Sequence, residues 1–146
     1  MCSSDLPKTT ADPLYTPGAI LCVGGVQNLS GQPLSRAPDW VGLVGATYDH
    51  QLFGDFQLGL SADVRYSSGY ELETNNNPFG RQKDYATLDA SARVYNDKWE
   101  FAVIGKNLTD TYYAVLAGDK PLGLPGDIIG FLGRPRQVTL QITRHF

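Results

Sequence analysis

The chain has little charge, few cysteines and no long hydrophobic run. Only 18% of its 146 residues are Asp, Glu, Lys or Arg, below the usual ~25%. That shortage excludes a coiled coil, a long helical bundle and a charged disordered tail. Basic runs are missing, and 12 basic residues against 15 acidic ones leave a net charge of −3, so no nucleic-acid partner is expected. Two cysteines, Cys2 and Cys22, make no disulfide framework. A pair in an oxidising compartment and two unrelated thiols are both open readings. The longest apolar stretch, Ala19 to Val26, is far short of the ~18 residues of a spanning helix. The first twenty residues show no charged start followed by an apolar core and do not read as a signal peptide.

What is abundant is rings and breakers. Eight Tyr, six Phe and two Trp stand beside 16 Gly and 9 Pro. So many aromatics argue against disorder. Residues 1–38 have no sustained period and are punctuated by Pro7, Pro13, Pro17, Pro33 and Pro38. They read as a long loop, uncommon inside a compact domain.

From Asp39 onward the period is two. Phe56, Leu58, Leu60, Ala62, Val64 and Tyr66 alternate with Gln57, Gly59, Ser61, Asp63 and Arg65. Ala86, Leu88, Ala90, Ala92 and Val94 alternate with Thr87, Asp89, Ser91 and Arg93. Val138, Leu140 and Ile142 alternate with Gln137, Thr139, Gln141 and Thr143. Trp99, Phe101 and Val103 repeat the pattern against Glu100 and Ala102, with Ile104 breaking the polar side. Residues 40–50 form a weaker fifth segment. Unbroken alternation selects strands over helices. The expected strands are 39–50, 56–70, 84–96, 99–107 and 136–146, an antiparallel meander with unpaired edges.

Loop lengths alternate as well. Gln51–Asp55 is short, Glu71–Asp84 is long and polar, Asp97–Lys98 is a two-residue hairpin, and Leu108–Arg134 is very long. Tight turns at one end and extended loops at the other are the pattern of a membrane barrel. Phe56 and Tyr66 lie on one face, ~25 Å apart along an axis tilted ~40°. With Trp40, Tyr48 and Trp99 they suit an aromatic girdle at the two boundaries of a lipid-facing band. Leu58, Leu60, Leu88, Val103, Leu140 and Ile142 should form one outward apolar surface, too large for a soluble monomer.

The other face carries charge. Folding the strands about their loops sets Arg65 roughly opposite Asp89, Asp89 opposite Lys106, and Arg93 near Glu100. With Asp63 these make a ladder of favourable cross-strand pairs, suited to a wet lumen. A solvated outer face of a half-buried sheet needs the same residues. The last strand ends on Phe146 after Val138, Leu140 and Ile142, with Arg144 departing from the apolar alternation.

Together these segments resemble the C-terminal end of a TonB-dependent outer-membrane receptor. The resemblance covers residues 29–146 and rests on LSGQPLSRAPDW (29–40), GATYDHQL (45–52), DVRYSSGY (63–70), QKDYATLDASARVY (82–95), WEFAVIGKNLTDTYY (99–113) and RPRQVTLQITRHF (134–146). Its most specific parts are Gly105, Lys106, Asn107, Leu108, Thr109 and Asp110, then Pro135 and Arg136 before a terminal Phe. It implies a plugged transmembrane barrel of about 22 strands, of which 39–146 would be the last five, and an extracellular loop remnant at 1–38. It also implies an insertion tail read by the barrel-assembly machinery, ferric siderophore or similar cargo, and energy from TonB through a plug and N-terminal barrel not seen here. Five strands cannot close a barrel, since the smallest have ~8; the chain is therefore expected to be a fragment that does not transport alone. Upstream coding sequence for roughly seventeen further strands and a plug would separate this reading from a small soluble β-sheet binding module.

No catalytic residue, cofactor site or metal site is expected. There is no Gly-x-Ser-x-Gly elbow and no phosphate loop, so an outer-membrane enzyme barrel is disfavoured. His50 and His145 have no Cys or carboxylate at ligand spacing. Glu71 and Glu73 read as solvated loop residues. Asn107–Leu108–Thr109 is formally a glycosylation sequon, but Asn107 to Asp110 read as a turn whose side chains bond the backbone.

Overall fold

The structure is a computed structural model. It describes residues 33–73, 79–124 and 127–146, with the backbone alone of 22–23 and 26–27. The question of whether Cys2 pairs with Cys22 falls on residues outside those whose side chains are described. No helix occurs among them.

In chain order the strands are β1 (Cys22–Val23), β2 (Val26–Gln27), β3 (Val41–Gln51), β4 (Gln57–Ser67), β5 (Tyr70–Glu71), β6 (Arg81–Gln82), β7 (Tyr85–Tyr95), β8 (Trp99–Lys106), β9 (Ala114–Asp119), β10 (Ile128–Leu132) and β11 (Gln137–Arg144). Five of them make one sheet in the order β11-β8-β7-β4-β3. Every neighbouring pair is antiparallel, so the meander expected from the alternation is the one that forms. β3 and β11 are its unpaired edges.

The chain divides into two compact units. One holds Trp40–Ser67, Tyr85–Tyr112 and Arg134–Phe146, which is the five-stranded sheet with its short turns. The other holds residues up to Asp39, Ser68–Asp84 and Tyr113–Gly133.

Within the sheet unit the short turns are closed locally. Leu52 N donates to Phe56 O at 2.9 Å and Phe56 N to Phe53 O at 3.1 Å. Asp97–Lys98 sits between Asn96 and Trp99, closed by Asn96 N to Trp99 O at 2.8 Å. The Asn96 carboxamide oxygen also accepts from Lys98 N and Trp99 N at 3.0 and 2.7 Å. A turn-favouring Asn thus stands in for backbone acceptors.

The two long connections carry short strands that the alternation did not mark. In the second unit β5 pairs with β6, Tyr70 against Gln82 and Glu71 against Arg81. β9 and β10 form a hairpin with a bulge between Phe131 and Leu132. Ala114 N donates to the Gln82 side chain at 2.7 Å, and the Tyr70 hydroxyl donates to Ala114 O at 2.9 Å. These strands are too short to show a period; Gly118 and Gly130 interrupt β9 and β10, and Pro121 and Gly123 lie between them.

The sheet has almost no core. The buried apolar residues among those described are Leu72, Ala102 and Ala117. Only Ala102 belongs to the sheet, and it lies on the polar face. The large side chains of the other face are exposed, among them Val44, Tyr48, Leu60, Val64, Phe101, Val103, Val138, Leu140 and Ile142. Leu58 and Leu88 are half-buried. In a β-sandwich this face would be covered by a second sheet; here it is a bare apolar wall.

Candidate functional site

Register decides what each face presents. Across β3, β4 and β7 one row runs Tyr48, Leu60, Ala92, continuing to Val103 and Leu140. The row beside it runs Thr47, Ser61, Ser91, Ile104, Thr139. The two Ser hydroxyls meet at 2.8 Å. The register thus sorts most apolar residues from polar ones; Val41, Leu43, Tyr85, Tyr95 and Ile104 stand on the polar face and Arg144 on the apolar one.

The charge ladder is only partly as expected. Lys106 Nζ reaches Asp89 Oδ2 at 2.9 Å, as the folding of β7 onto β8 anticipated. Arg65 does not face Asp89; it pairs with Thr87, and Asp63 faces Asp89. Arg93 does not meet Glu100; it pairs with Gly59 and Ala102, while Glu100 faces Tyr95 and Thr143. The first difference is a slip of two residues; the second is a diagonal neighbour within the β7–β8 register that sets Asp89 against Lys106. A slip of two returns every side chain to its own face, so alternation cannot detect it.

Glycine accommodates the resulting charges. Arg93 lies across Gly59 to reach Asp49 two strands away, Nη2 to Oδ1 at 3.8 Å. A Cβ on Gly59 would stand 2.5 Å from Arg93 Nε and 3.0 Å from Asp49 Oδ1. The Asp63 carboxylate lies over Gly45 in the same way. It thereby leans away from Asp89, which turns toward Lys106.

The turn after β8 is the most highly bonded element of the sheet. Asn107 is 4% exposed and adopts a left-handed φ of 48°, which Asn tolerates better than most residues. Its Nδ2 donates to Thr111 O at 3.0 Å and Arg134 O at 2.9 Å. Its Oδ1 accepts from Thr111 N and Thr109 Oγ1, both at 3.1 Å. Its backbone N donates to Asp89 Oδ1 at 2.8 Å. Thr111 Oγ1 donates to Ala86 O at 2.8 Å, and Leu108 N to Leu88 O at 2.7 Å. Asp110, also left-handed at φ 53°, accepts from Arg136 Nη2 at 3.1 Å. Leu108 packs over Gly105, where a Cβ would meet its Cδ2 at 2.6 Å. So Gly105 to Asp110 and Arg136 form one knot that joins β7, β8 and the entry to β11.

The aromatic residues cluster at the short-turn end. Phe56 is not on the β4 face; it belongs to the turn before it, half-buried, its ring 5.6 Å from that of Phe53. That turn needs Phe56 for its backbone closure, so the alternation begins one residue later. Tyr48 stacks with His50 and Trp99 with Phe101, each at 6.1 Å between centroids. Tyr66 lies at the far end of β4, and Trp40 immediately precedes β3. β11 stops at Arg144, and Phe146 stands beyond it, fully exposed.

In the other unit a cleft of about 240 Å³ opens between Ser35 and Arg36, Leu72 and Glu73, and residues 116–119. Nothing in the sequence pattern marked it. No group of three or more metal-ligating side chains occurs among the described residues, and no helix there is long and apolar enough to cross a membrane.

An antiparallel meander with a bare aliphatic face, a hydrogen-bonded polar face, rings near its ends and unpaired edges is the wall of a β-barrel of the outer-membrane type. A family model described as TonB dependent receptor-like, beta-barrel, matches residues 10–108. The match spans more than half of the chain, and the chain belongs to this family of outer-membrane, TonB-dependent transport proteins. Of the five-stranded sheet the matched span takes in β3, β4, β7 and β8 and ends inside the Asn107 turn; β11 lies beyond it. No curated protein and no solved structure matches the chain.

Proposed function

We propose that this chain forms part of the wall of an outer-membrane active transporter for ferric siderophores or a similar nutrient, energised through TonB. The observation that carries the reading is the pairing of family membership with an apolar face whose large side chains are left exposed on β3, β4, β8 and β11. In this reading that face meets lipid and the face of Asp49, Arg93, Asp63, Asp89 and Lys106 lines the lumen. Ion pairs cost little desolvation in a wet lumen and are expensive in a dry core. Trp40, Tyr48, Phe56, Tyr66 and Trp99 mark the membrane boundaries. Further strands pair with the β3 and β11 edges, and a plug and TonB contact come from elsewhere in the assembled receptor. The tail of Val138, Leu140, Ile142 and Phe146 is what the barrel-assembly machinery reads. The five strands alone do not transport.

The test is uptake of labelled ferric siderophores by cells carrying the intact locus, with and without a working TonB. Uptake that needs both the locus and TonB is expected. Uptake unchanged by deletion of the locus across siderophore classes, haem and other TonB-dependent nutrients would overturn the proposal.

A further inference from the structure

Arg144 is the one position of β11 that breaks the apolar alternation, and its surroundings give it a use. It lies on the apolar face, opposite Trp99. Its guanidinium carbon is 5.2 Å from the centroid of the Trp99 ring and 4.9 Å from that of Phe146. Trp99 is in turn stacked on Phe101, at 14° between planes. His145 N donates to Lys98 O at 2.9 Å, which holds the tail against the β7–β8 turn and brings Lys98 to the same corner. None of the ion pairs among the described residues uses Arg144 or Lys98. Asp97 shares the turn with Lys98, and Glu100 points to the opposite face.

The guanidinium lies near two rings and in none of these ion pairs, so its fork of N–H donors, which fits a phosphate, is available. A cation on a lipid-facing surface is costly at the bilayer midplane and nearly free at the interface, where Trp rings also settle. The last residue of β11, level with the short turns, is such a place.

We propose that Arg144, Trp99 and Phe146, with Lys98, form a headgroup site for an anionic phospholipid, Arg144 bonding the phosphate and Lys98 supplying the preference for net negative charge. This rests on the reading of the sheet as an outer-membrane wall. The chain contains two Trp; in an intact receptor carrying this end, changing every other Trp to Phe leaves Trp99 as the reporter. That receptor is folded into vesicles of phosphatidylcholine and phosphatidylglycerol, with bromine on the acyl chains of either lipid in turn. At equal mole fraction, brominated phosphatidylglycerol should quench Trp99 with about fivefold the relative association of brominated phosphatidylcholine, the gain expected from one basic residue at a charged surface. Lys98→Gln should bring the ratio to about one, Arg144→Gln should weaken the association of both lipids, Arg144→Lys should keep part of it, and inorganic phosphate should leave Trp99 emission unchanged. Equal quenching by both lipids in the unsubstituted corner overturns the headgroup site while leaving the wall intact. Quenching by neither lipid overturns the wall itself.

Discussion

Asn107 shows how much one side chain can hold. Four hydrogen bonds of its carboxamide fill a turn whose φ of 48° only a few residues accept. Asn107→Ala strands two carbonyls and an N–H that the side chain now satisfies and adds left-handed strain. The expected loss is about 3 kcal/mol. Asn107→Gly loses the same bonds without the strain and should be about 1 kcal/mol less damaging, reversing the usual preference for Ala over Gly in ordered segments. Urea unfolding of the protein in lipid vesicles checks both; Ala equal to or better than Gly would show that the turn is not held in this conformation. Arg136→Ala removes only a half-exposed ion pair with Asp110 and should cost under ~1 kcal/mol. The motif residues were visible in the sequence as a resemblance and as a turn. Asp89 was visible as the partner of Lys106; its bond to Asn107 N and the partners Thr111 and Arg134 were not, because those contacts exist only once the register and the return of the chain at 134 are set. Phe146 belongs to the same scale. Exposed beyond the strand end, it should affect insertion far more than stability. Its deletion from an intact receptor should lower the amount of heat-modifiable barrel at the cell surface. Barrels that do insert should unfold within ~1 kcal/mol of the parent.

Among elements, the long strands were legible and their register was not. Alternation over eleven residues at 56–66 and nine at 86–94 leaves no choice of secondary structure and no choice of face. It leaves the choice between registers two residues apart, because both keep every apolar residue on one side. The observed register places Ser61 against Ser91 with hydroxyls 2.8 Å apart. With Cys2 and Cys22 changed to Ser, the double variant Ser61→Cys, Ser91→Cys should form a disulfide rapidly. Ser61→Cys with Arg93→Cys, the pair that would face each other if Arg65 stood opposite Asp89, should not. Gel mobility before and after reduction reads the result, and the reverse outcome would restore the register in which Arg65 faces Asp89. The β9–β10 hairpin escaped sequence reading for a different reason. Six and five residues rich in Gly and flanked by Pro carry too few alternations to outweigh their breakers, and their pairing comes from each other and from Tyr70 and Gln82 rather than from a local pattern.

At the scale of the molecule, an apolar face without a core underneath demands lipid or a second layer. Lipid is the reading that also explains the segregation of loop lengths, the rings near the strand ends and family membership. It predicts an asymmetry between adjacent residues. Leu140→Arg, in the middle of β11 on the apolar face, should destabilise the inserted protein by about 2–4 kcal/mol. Thr139→Arg, its neighbour on the polar face, should cost under ~1 kcal/mol. Reconstitution without lipid or detergent should give aggregates, because the exposed face exceeds what a soluble monomer carries.

Which solvent meets which face is the central question, and spin labels placed one at a time at Leu60, Ser61, Val103, Thr139 and Leu140 answer it. In the membrane-inserted protein, labels at 60, 103 and 140 should collide with dissolved oxygen and be shielded from a water-soluble nickel complex, while labels at 61 and 139 should show the opposite. Labels at 60, 103 and 140 shielded from both reagents, as in a packed sandwich core, or open to the nickel complex, would contradict the account.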